Sequence, residues 1–192
     1  DEDCELSSKI IFDTKETTNI TKRINVLKKH IEALNHVFKI AKKELIIFSP
    51  FISSVALEWD TNTNAEEDKK QALNSICEQL KNAVDRGVNI SVYTDSTLDM
   101  RDNKLKPTAQ KGRELIKQSG AILKLINGIH SKTIIIDNDI IIEGSFNWFS
   151  AVRDEKSKYH REEASLVVKG EDAKEMIKEA KANLKNMREQ NK

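Results

Sequence analysis

The sequence of 192 residues is 38% apolar and 33% charged, and its formal net charge at pH 7 is +1. This length fits one globular domain, and we expect a single domain over residues 1–192 with a flexible, linker-like start at residues 1–20. The composition excludes a disordered chain, and the longest uncharged apolar stretch, residues 45–57, is too short to cross a bilayer, so no membrane partner is expected.

Hydrophobic periodicity predicts alternating helices and strands along the chain. In the first half, the predicted elements are a helix at residues 21–43, a strand at 44–50, a loop from 51 to about 64, a helix from 72 to 84 that stops at Gly87, and a strand at 88–95. After an irregular stretch to Pro107, they are a helix around 112–118, strands at 121–126, 133–137, 140–143 and 164–168, and a closing helix from Glu171. Asn138-Asp139 fit a hairpin turn. This order predicts an α/β fold with a largely parallel or mixed sheet flanked by helices on both faces.

The polar residues with the most specific spacing lie between Gly128 and Arg153. The elements of the pattern are, in order, His130, Lys132, Asp137, Gly144, Ser145 and Asn147. Six specified positions over eighteen residues are hard to obtain by chance. The pattern resembles the signature of the phospholipase D superfamily, and the resemblance extends over most of the chain. Residues two apart in a strand point to the same side, so His130 and Lys132 should project together from the edge of the sheet.

This resemblance implies a phosphodiesterase that works without a metal or other cofactor. In such an enzyme His130 attacks phosphorus to give a phosphohistidine, and a second histidine protonates the leaving oxygen. Lys132 and Asn147 would bind the non-bridging phosphate oxygens, and Ser145 would be an auxiliary donor. Asp137 would organise the motif through hydrogen bonds rather than attack the substrate.

Two further expectations follow from the same resemblance. The segment that begins at Glu162 resembles the family segment in which a glutamate orients the catalytic histidine, and we favour Glu163 over Glu162 for this role. The chain contains a single motif, whereas the mechanism needs two histidines, which predicts a homodimer whose twofold axis joins two His130 side chains. A longer pattern, GSFNWFSAVRDE with YHREEASLVVKG, is similar to phospholipase D-like domains at the C-terminal end of large helicase proteins, including bacterial anti-phage systems.

The substrate class stays open at this stage. A nuclease acting on DNA or RNA is the first hypothesis, and a phospholipase or phosphatidyl transferase and a non-catalytic nucleic-acid-binding module are the alternatives. Because the net charge is only +1, nucleic-acid binding would need a local patch. The basic residues of the predicted loops that suit phosphate binding are Lys104, Lys106, Lys111, Arg113, Arg153, Lys156, Lys158 and Arg161, and Arg153 is assigned to substrate binding.

Other residues favour structural interpretations. Phe146 and Trp148 could stack on a base, but alternating aromatic residues are more often core, and we expect this for at least one of them. His30, His36 and His160 have no partners at metal-ligand spacing, so we expect solvated or helix-surface histidines and no metal site.

The cysteines and the first residue bear on cellular context. Cys4 and Cys77 are far apart in sequence, which favours unpaired thiols in a reducing compartment and a cytoplasmic location. The chain begins at Asp1 rather than methionine, which fits a domain excised from a larger protein or a mature form whose signal peptide is gone, and we favour the excised domain.

Overall fold

The structure of the protein is a computed structural model that describes residues 19–59 and 75–191. In these ranges the strands are β1 (Ile20–Ile24), β2 (Glu44–Phe48), β3 (Asn89–Asp95), β4 (Met100–Arg101), β5 (Lys104–Leu105), β6 (Ile122–Ile126), β7 (Thr133–Ile136), β8 (Ile140–Gly144) and β9 (Ser165–Lys169). The helices are α1 (Leu27–Ile40), α2 (Ser54–Glu58), α3 (Ile76–Asp85), α4 (Pro107–Gln118) and α5 (Glu171–Gln190). Cys4, nearly all of the predicted linker-like start, residues 60–64 of the predicted loop and the first residues of the second predicted helix lie outside the described residues.

The main sheet has seven strands in the described part of the chain, in the order β1-β9-β8-β7-β2-β3-β6. Strands β2, β3 and β6 are parallel, while β7 pairs antiparallel with β2 and is followed by the antiparallel neighbours β8, β9 and β1. The carboxyl ends of β2, β3, β6 and β8 therefore lie at the same end of the sheet as the first residues of β7 and β9. We call this the motif end, because five of the six motif residues, all except Asp137, lie there.

Both faces of the sheet are buried, which explains why its central strands are continuously apolar. On one face, Ile134 and Ile136 of β7 belong to a core that includes residues of α1, α3 and α4. On the other face, Ile135 belongs to a second core with Ile177 and Leu184 of α5. The side chains of β7 alternate between the two cores as the two-residue period of a strand requires. The predicted α/β class, with a mixed sheet and helices on both faces, is confirmed.

The predicted first helix is wrong at its start. Residues Ile20–Ile24 form an edge strand that pairs antiparallel with β9, and α1 begins only at Leu27. Ile24 fits both periods, since it lies three residues before Leu27 on the helical pattern and four after Ile20 on the strand pattern. Pairing with a strand about 145 residues later in the chain decides between them, with Ile24 opposite Ser165.

Local backbone chemistry refines three other elements. Pro107 is the first residue of α4, so the helix begins earlier than predicted. Proline is favoured at this position because it has no N–H group, and an N–H group there would find no partner within the helix. The irregular stretch before it contains the β4–β5 hairpin. The predicted hairpin between β7 and β8 is confirmed, but its left-handed residues are Asp137 (φ 49°) and Asn138 (φ 61°), one position earlier than expected. Within the predicted loop after β2, residues Ser54–Glu58 form the short helix α2.

Candidate active site

His130 and Lys132 lie in the extended segment that leads into β7. Ile129 anchors this segment in the second core, whereas His130 is exposed and Lys132 half-buried. The Lys132 ammonium donates to the main-chain oxygen of His130 at 2.9 Å and lies 3.4 Å from Nδ1 of the same histidine. Burial lowers the pKa of Lys132, and the negative charge of Glu163 partly opposes that shift. The two motif side chains thus project together, with Glu163 close enough to influence the lysine.

Asp95, at the carboxyl end of β3, fixes the loop that precedes His130. Its Oδ2 accepts a hydrogen bond from the Gly128 N–H at 2.7 Å. Its Oδ1 accepts from the N–H groups of Thr97 (2.7 Å) and Leu98 (2.9 Å). Burial alone would raise the pKa of Asp95, but these hydrogen bonds, with one from the Thr97 hydroxyl, lower it on balance. The sequence analysis missed Asp95, although a carboxylate at the carboxyl end of a buried parallel strand marks the end of a sheet where ligands commonly bind.

The Gly-Ser pair of the motif allows β8 and β9 to approach each other. A Cβ atom on Gly144 would lie 2.1 Å from the Ala164 carbonyl oxygen and 2.5 Å from the Ser165 Cα, so a side chain cannot fit there. The next residue, Ser145, donates its N–H to that same carbonyl at 2.9 Å, and its Oγ accepts the Ala164 N–H at 3.0 Å. Ser145 therefore extends the strand pairing and holds the residues next to Glu163 beside the motif.

Asn147 lies in a tight turn that is anchored on both sides. Its main-chain oxygen accepts the Ala151 N–H at 2.8 Å. Phe146 and Trp148 are both fully buried, which confirms the expectation that at least one of them is core. The Asn147 Oδ1 atom is buried without a hydrogen-bond partner among the described residues. The buried rings of Phe146 and Trp148 thus hold the Asn147 side-chain amide in place, while none of the described residues donates a hydrogen bond to its oxygen.

His30 lies directly beneath this turn, and the expectation of a solvated histidine is wrong. Its ring is fully buried and stacks on Phe146 with 4.4 Å between ring centroids. Its Nδ1 is 2.9 Å from the Val26 carbonyl, which can only accept, so Nδ1 carries the hydrogen and Nε2 accepts from the Ser165 hydroxyl at 3.0 Å. Burial lowers the pKa of His30, as does the charge of Arg153, against the opposing effect of the bond to Val26. The neutral imidazole is the form that fits.

Arg153 also lies in the interior, not in an exposed loop where it would meet substrate. Its side chain is 7% exposed, its guanidinium carbon lies 5.0 Å from the centroid of the Phe146 ring, and its Nη2 donates to the Trp148 carbonyl. Burial lowers the pKa of Arg153 from its ordinary value to about 10. Arg113 is buried as well, and donates to the Asp95 carbonyl at 3.2 Å. Both arginines support the motif end from inside.

Asp137 lies at the opposite end of β7 from His130. Its carboxylate accepts hydrogen bonds from the N–H groups of Lys42 (2.9 Å), Lys43 (2.7 Å) and Glu44 (2.9 Å). These bonds join the turn after β7 to the start of β2. The carboxylate organises structure through hydrogen bonds, as the resemblance implied, but it does so at a distance from the rest of the motif.

A cleft of about 380 Å³ opens beside Asn147 and Glu163. Its walls come from residues 25–27, the turn after β8, and residues 159–163 before β9. His130 and Lys132 do not line it. Of the two candidate glutamates, Glu163 is half-buried and electrostatically coupled to Lys132, whereas Glu162 is exposed. His160, expected to be solvated, is half-buried in the cleft wall.

The described residues also bear on two other types of site, a metal site and a membrane span. In residues 19–59 and 75–191, no group of three or more His, Cys, Asp or Glu side chains is arranged to hold a metal ion. None of the helices in the same ranges combines the length and apolar character that a bilayer span requires. Cys77 is a free, half-buried thiol.

Comparisons with known proteins agree on the fold. The family model described as "Cardiolipin synthase, PLD-like domain" matches residues 34–188. The structure of Nuc, a phospholipase D family member from Salmonella typhimurium, is similar with a TM-score of 0.64 and 14% identity, covering 91% of this chain and 97% of that one. NucT from Helicobacter pylori gives a TM-score of 0.60 and 15% identity over 90% of this chain and 97% of its own.

A lipid enzyme shares the fold as well. The phosphatidylserine synthase of Haemophilus influenzae Rd KW20 gives a TM-score of 0.56 and 10% identity, covering 99% of this chain but 45% of that one. No curated protein sequence matches the chain at a significant level. These three structures are below 25% identity to the chain, so they establish the architecture around the motif and leave the reacting molecule to be inferred from the site.

Proposed function

The chain belongs to the family of phospholipase D-like domains, and from this premise we propose that it is a metal-independent phosphodiesterase with His130 as its nucleophile. The observation that carries the proposal is the pairing of an exposed imidazole with the Lys132 ammonium at 3.4 Å, at the end of the sheet where Asn147 and Glu163 flank the neighbouring strands. An exposed imidazole beside an ammonium group is the arrangement that nucleophilic attack on an anionic phosphodiester requires.

The proposed reaction proceeds in two displacements. A ring nitrogen of His130 forms a bond to phosphorus while the bond from phosphorus to the leaving oxygen breaks, and a second histidine gives its proton to that oxygen. Water then loses a proton to the second histidine and attacks phosphorus, which breaks the phosphorus–nitrogen bond and restores both histidines. Lys132 and the Asn147 amide stabilise the charge on the non-bridging oxygens. Glu163 orients the His130 imidazole, and its negative charge partly balances the positive charge of Lys132.

The second histidine is supplied, in this proposal, by His130 of a second copy of the chain in a homodimer. The dimer can be tested separately from chemistry by mixing wild-type chain with His130→Ala chain. A mixed dimer would contain only one His130 and would not cleave. Because only dimers of two wild-type chains would be active, activity should fall with the square of the wild-type fraction. A linear fall would contradict a site shared between two copies.

Nucleic acid is the substrate class we favour. The pattern that ends in YHREEASLVVKG resembles helicase-linked domains. The segment begins with an exposed tyrosine, Tyr159, and contains Arg161, and Lys158 comes directly before it. Aromatic and cationic side chains at one surface suit the bases and backbone of a nucleic-acid strand. We accordingly propose a nuclease that works as part of a larger, helicase-linked cytoplasmic protein.

The decisive experiment is cleavage of labelled single- and double-stranded DNA and RNA in EDTA by wild type and His130→Ala. We expect cleavage by the wild type and a loss of at least about 10⁴-fold in the variant, because removal of a nucleophile eliminates the covalent route. Ser131→Ala, which changes the adjacent exposed residue, is the matched control and should cleave like the wild type. Cleavage that requires added divalent metal, or that persists without His130, would contradict the proposal.

A lipid headgroup is the second candidate, favoured by the family description and by the similarity to a phosphatidylserine synthase. The same motif would then form a phosphatidyl-histidine on the same atom. Release of headgroup from phospholipid vesicles, with no cleavage of any nucleic acid, would select this alternative. If neither substrate reacts and His130→Ala binds nucleic acid as the wild type does, the domain is a binding module.

A further inference from the structure

The cleft next to the motif shares two residues with the proposed catalytic machinery. Asn147 and Glu163 both line it, whereas His130 and Lys132 lie outside it. When a phosphodiester binds between His130, Lys132 and Asn147, one of the two groups esterified to its phosphate can therefore extend into the cleft. The volume of about 380 Å³ falls within the roughly 300 to 1,000 Å³ typical of small-ligand sites.

The charges around the cleft disfavour a second phosphate inside it. Three carboxylates line the walls, those of Glu155, Glu162 and Glu163. The one arginine, Arg161, already donates through its Nη1 to the carbonyls of Lys158 (3.2 Å) and His160 (2.9 Å). A ligand that offers hydrogen-bond donors fits this set of acceptors, while an additional anion would be repelled.

Two buried polar atoms in the walls have no partner among the described residues. They are the Oδ1 of Asn147 and the Nδ1 of His160. A buried acceptor without a donor costs free energy, and a bound group that supplies the donor recovers it. The Asn147 oxygen thus provides an uncompensated acceptor at the point where cleft and motif meet.

One of the residues that line the cleft is an exposed aromatic residue. Tyr159 is 61% exposed, and the Lys158 ammonium lies 5.0 Å from the centroid of its ring. An exposed tyrosine provides a stacking surface for a flat ring, and the Lys158 ammonium, which lies over the tyrosine ring and must move aside or leave the other face to the base, attracts the phosphate of the same strand.

From this combination we propose that the cleft binds one unstacked nucleobase of a single-stranded nucleic acid, stacked on Tyr159 and recognised through its amino-bearing edge. The inference rests on the proposed nuclease function and specifies its substrate. A base inside a duplex cannot enter such a cleft without leaving its stack and its pair. Carboxylate acceptors pair with the amino group of cytosine, whereas thymine presents carbonyl acceptors at the equivalent position. The protein should therefore prefer single strands, and cytosine over thymine.

The test measures binding in the His130→Ala background, so that cleavage does not remove the probe. The probes are fluorescein-labelled dC12, dT12 and a duplex of the same length, followed by fluorescence anisotropy at fixed salt. We expect dC12 to bind about tenfold more tightly than dT12 and than the duplex. Tyr159→Ala should weaken binding of dC12 about tenfold. Trp59→Ala, which removes another exposed aromatic ring that does not line the cleft, should leave binding unchanged.

A second variant addresses base recognition separately from stacking. Replacing Glu155 and Glu162 together by glutamine removes two charges at nearly constant size and should reduce the preference for dC12 over dT12 to less than about threefold.

The outcomes separate this inference from the proposed function. Duplex bound as tightly as single strands, or no effect of Tyr159→Ala, would overturn the cleft assignment even if His130-dependent cleavage is observed. Selective binding of dC12 without any cleavage by the wild type would support the cleft and contradict the nuclease. Binding of phosphatidylethanolamine vesicles with no binding of oligonucleotides would overturn the assignment in favour of a lipid headgroup.

Discussion

Two histidines near the motif end of the sheet occupy opposite environments. His130 is exposed and has the Lys132 side chain as its neighbour, whereas His30 is fully buried, holds two hydrogen bonds and stacks on Phe146. The exposed imidazole can reach a substrate but adds little to stability. The buried imidazole cannot reach a substrate but supports the turn that carries Asn147. At this site, therefore, burial rather than residue type decides whether a histidine takes part in the chemistry or supports the structure.

The largest expected difference between the two histidines is in stability. His30→Ala should lower the free energy of unfolding by about 3 kcal/mol, because it leaves a cavity against Phe146 and removes the acceptor of the Ser165 hydroxyl. His130→Ala should change it by less than about 0.5 kcal/mol, as expected for an exposed side chain. Urea unfolding followed by circular dichroism measures both values. Equal values for the two variants would contradict the division of roles.

Asp137 extends the comparison to the two ends of β7. Asp137→Ala should lower the free energy of unfolding by about 2 kcal/mol, because three N–H groups at the start of β2 lose their acceptor. Cleavage per folded molecule should be unchanged, since the carboxylate is at the far end of the strand from His130. The control is Asn138→Ala in the same turn. A cleavage defect greater than tenfold in fully folded Asp137→Ala protein would place this residue back in the reaction.

A smaller expected effect is the dependence of stability on pH that buried His30 causes. The folded-state pKa of His30 lies below the unfolded value of 6.5, so below that pH the unfolded chain binds a proton that the folded chain excludes. The free energy of unfolding therefore includes the full contribution of the neutral His30 above pH 6.5. It decreases as the pH falls from 6.5 toward the folded-state pKa, by at most about 1.4 kcal/mol per pH unit. Unfolding measured from pH 7.5 to 5 should show a steeper acid dependence for wild type than for His30→Gln. Parallel curves would show that His30 does not carry this dependence.

The elements that formed from local patterns could be predicted from the sequence. The apolar runs of β2, β7 and β8 and the closing helix were found in place, and the motif spacing located His130 and Lys132 together. Strand β1 was missed because its identity depends on pairing with β9, at the other end of the chain. The local pattern of apolar residues does not reveal a pairing partner that lies far away in the sequence.

The buried support of the site was also missed, although part of the signal was present. His30 lies three residues after Leu27 and four before Leu34, within the apolar stripe of α1, which places it on the buried face. Arg153 gave no such signal, because a charged residue in a loop is ordinarily exposed and only the packing of Phe146 and Trp148 encloses it. The cleft was equally invisible, since its walls join residues 25–27 to residues 159–163.

The order of strands at the motif end has a consequence for how the molecule folds. Strands β7, β8 and β9 are consecutive in sequence and adjacent in the sheet, so the segments that carry His130, Asn147 and Glu163 meet through contacts of short sequence separation. The connection from β7 to β8 has three residues and that from β8 to β9 has twenty, and loops of these lengths close at a lower entropic cost than much longer ones. The bond between His30 and Ser165 instead joins residues 135 positions apart. We therefore expect the meander to assemble early, and the docking of α1 against it to follow as a slower, long-range step that rigidifies the site.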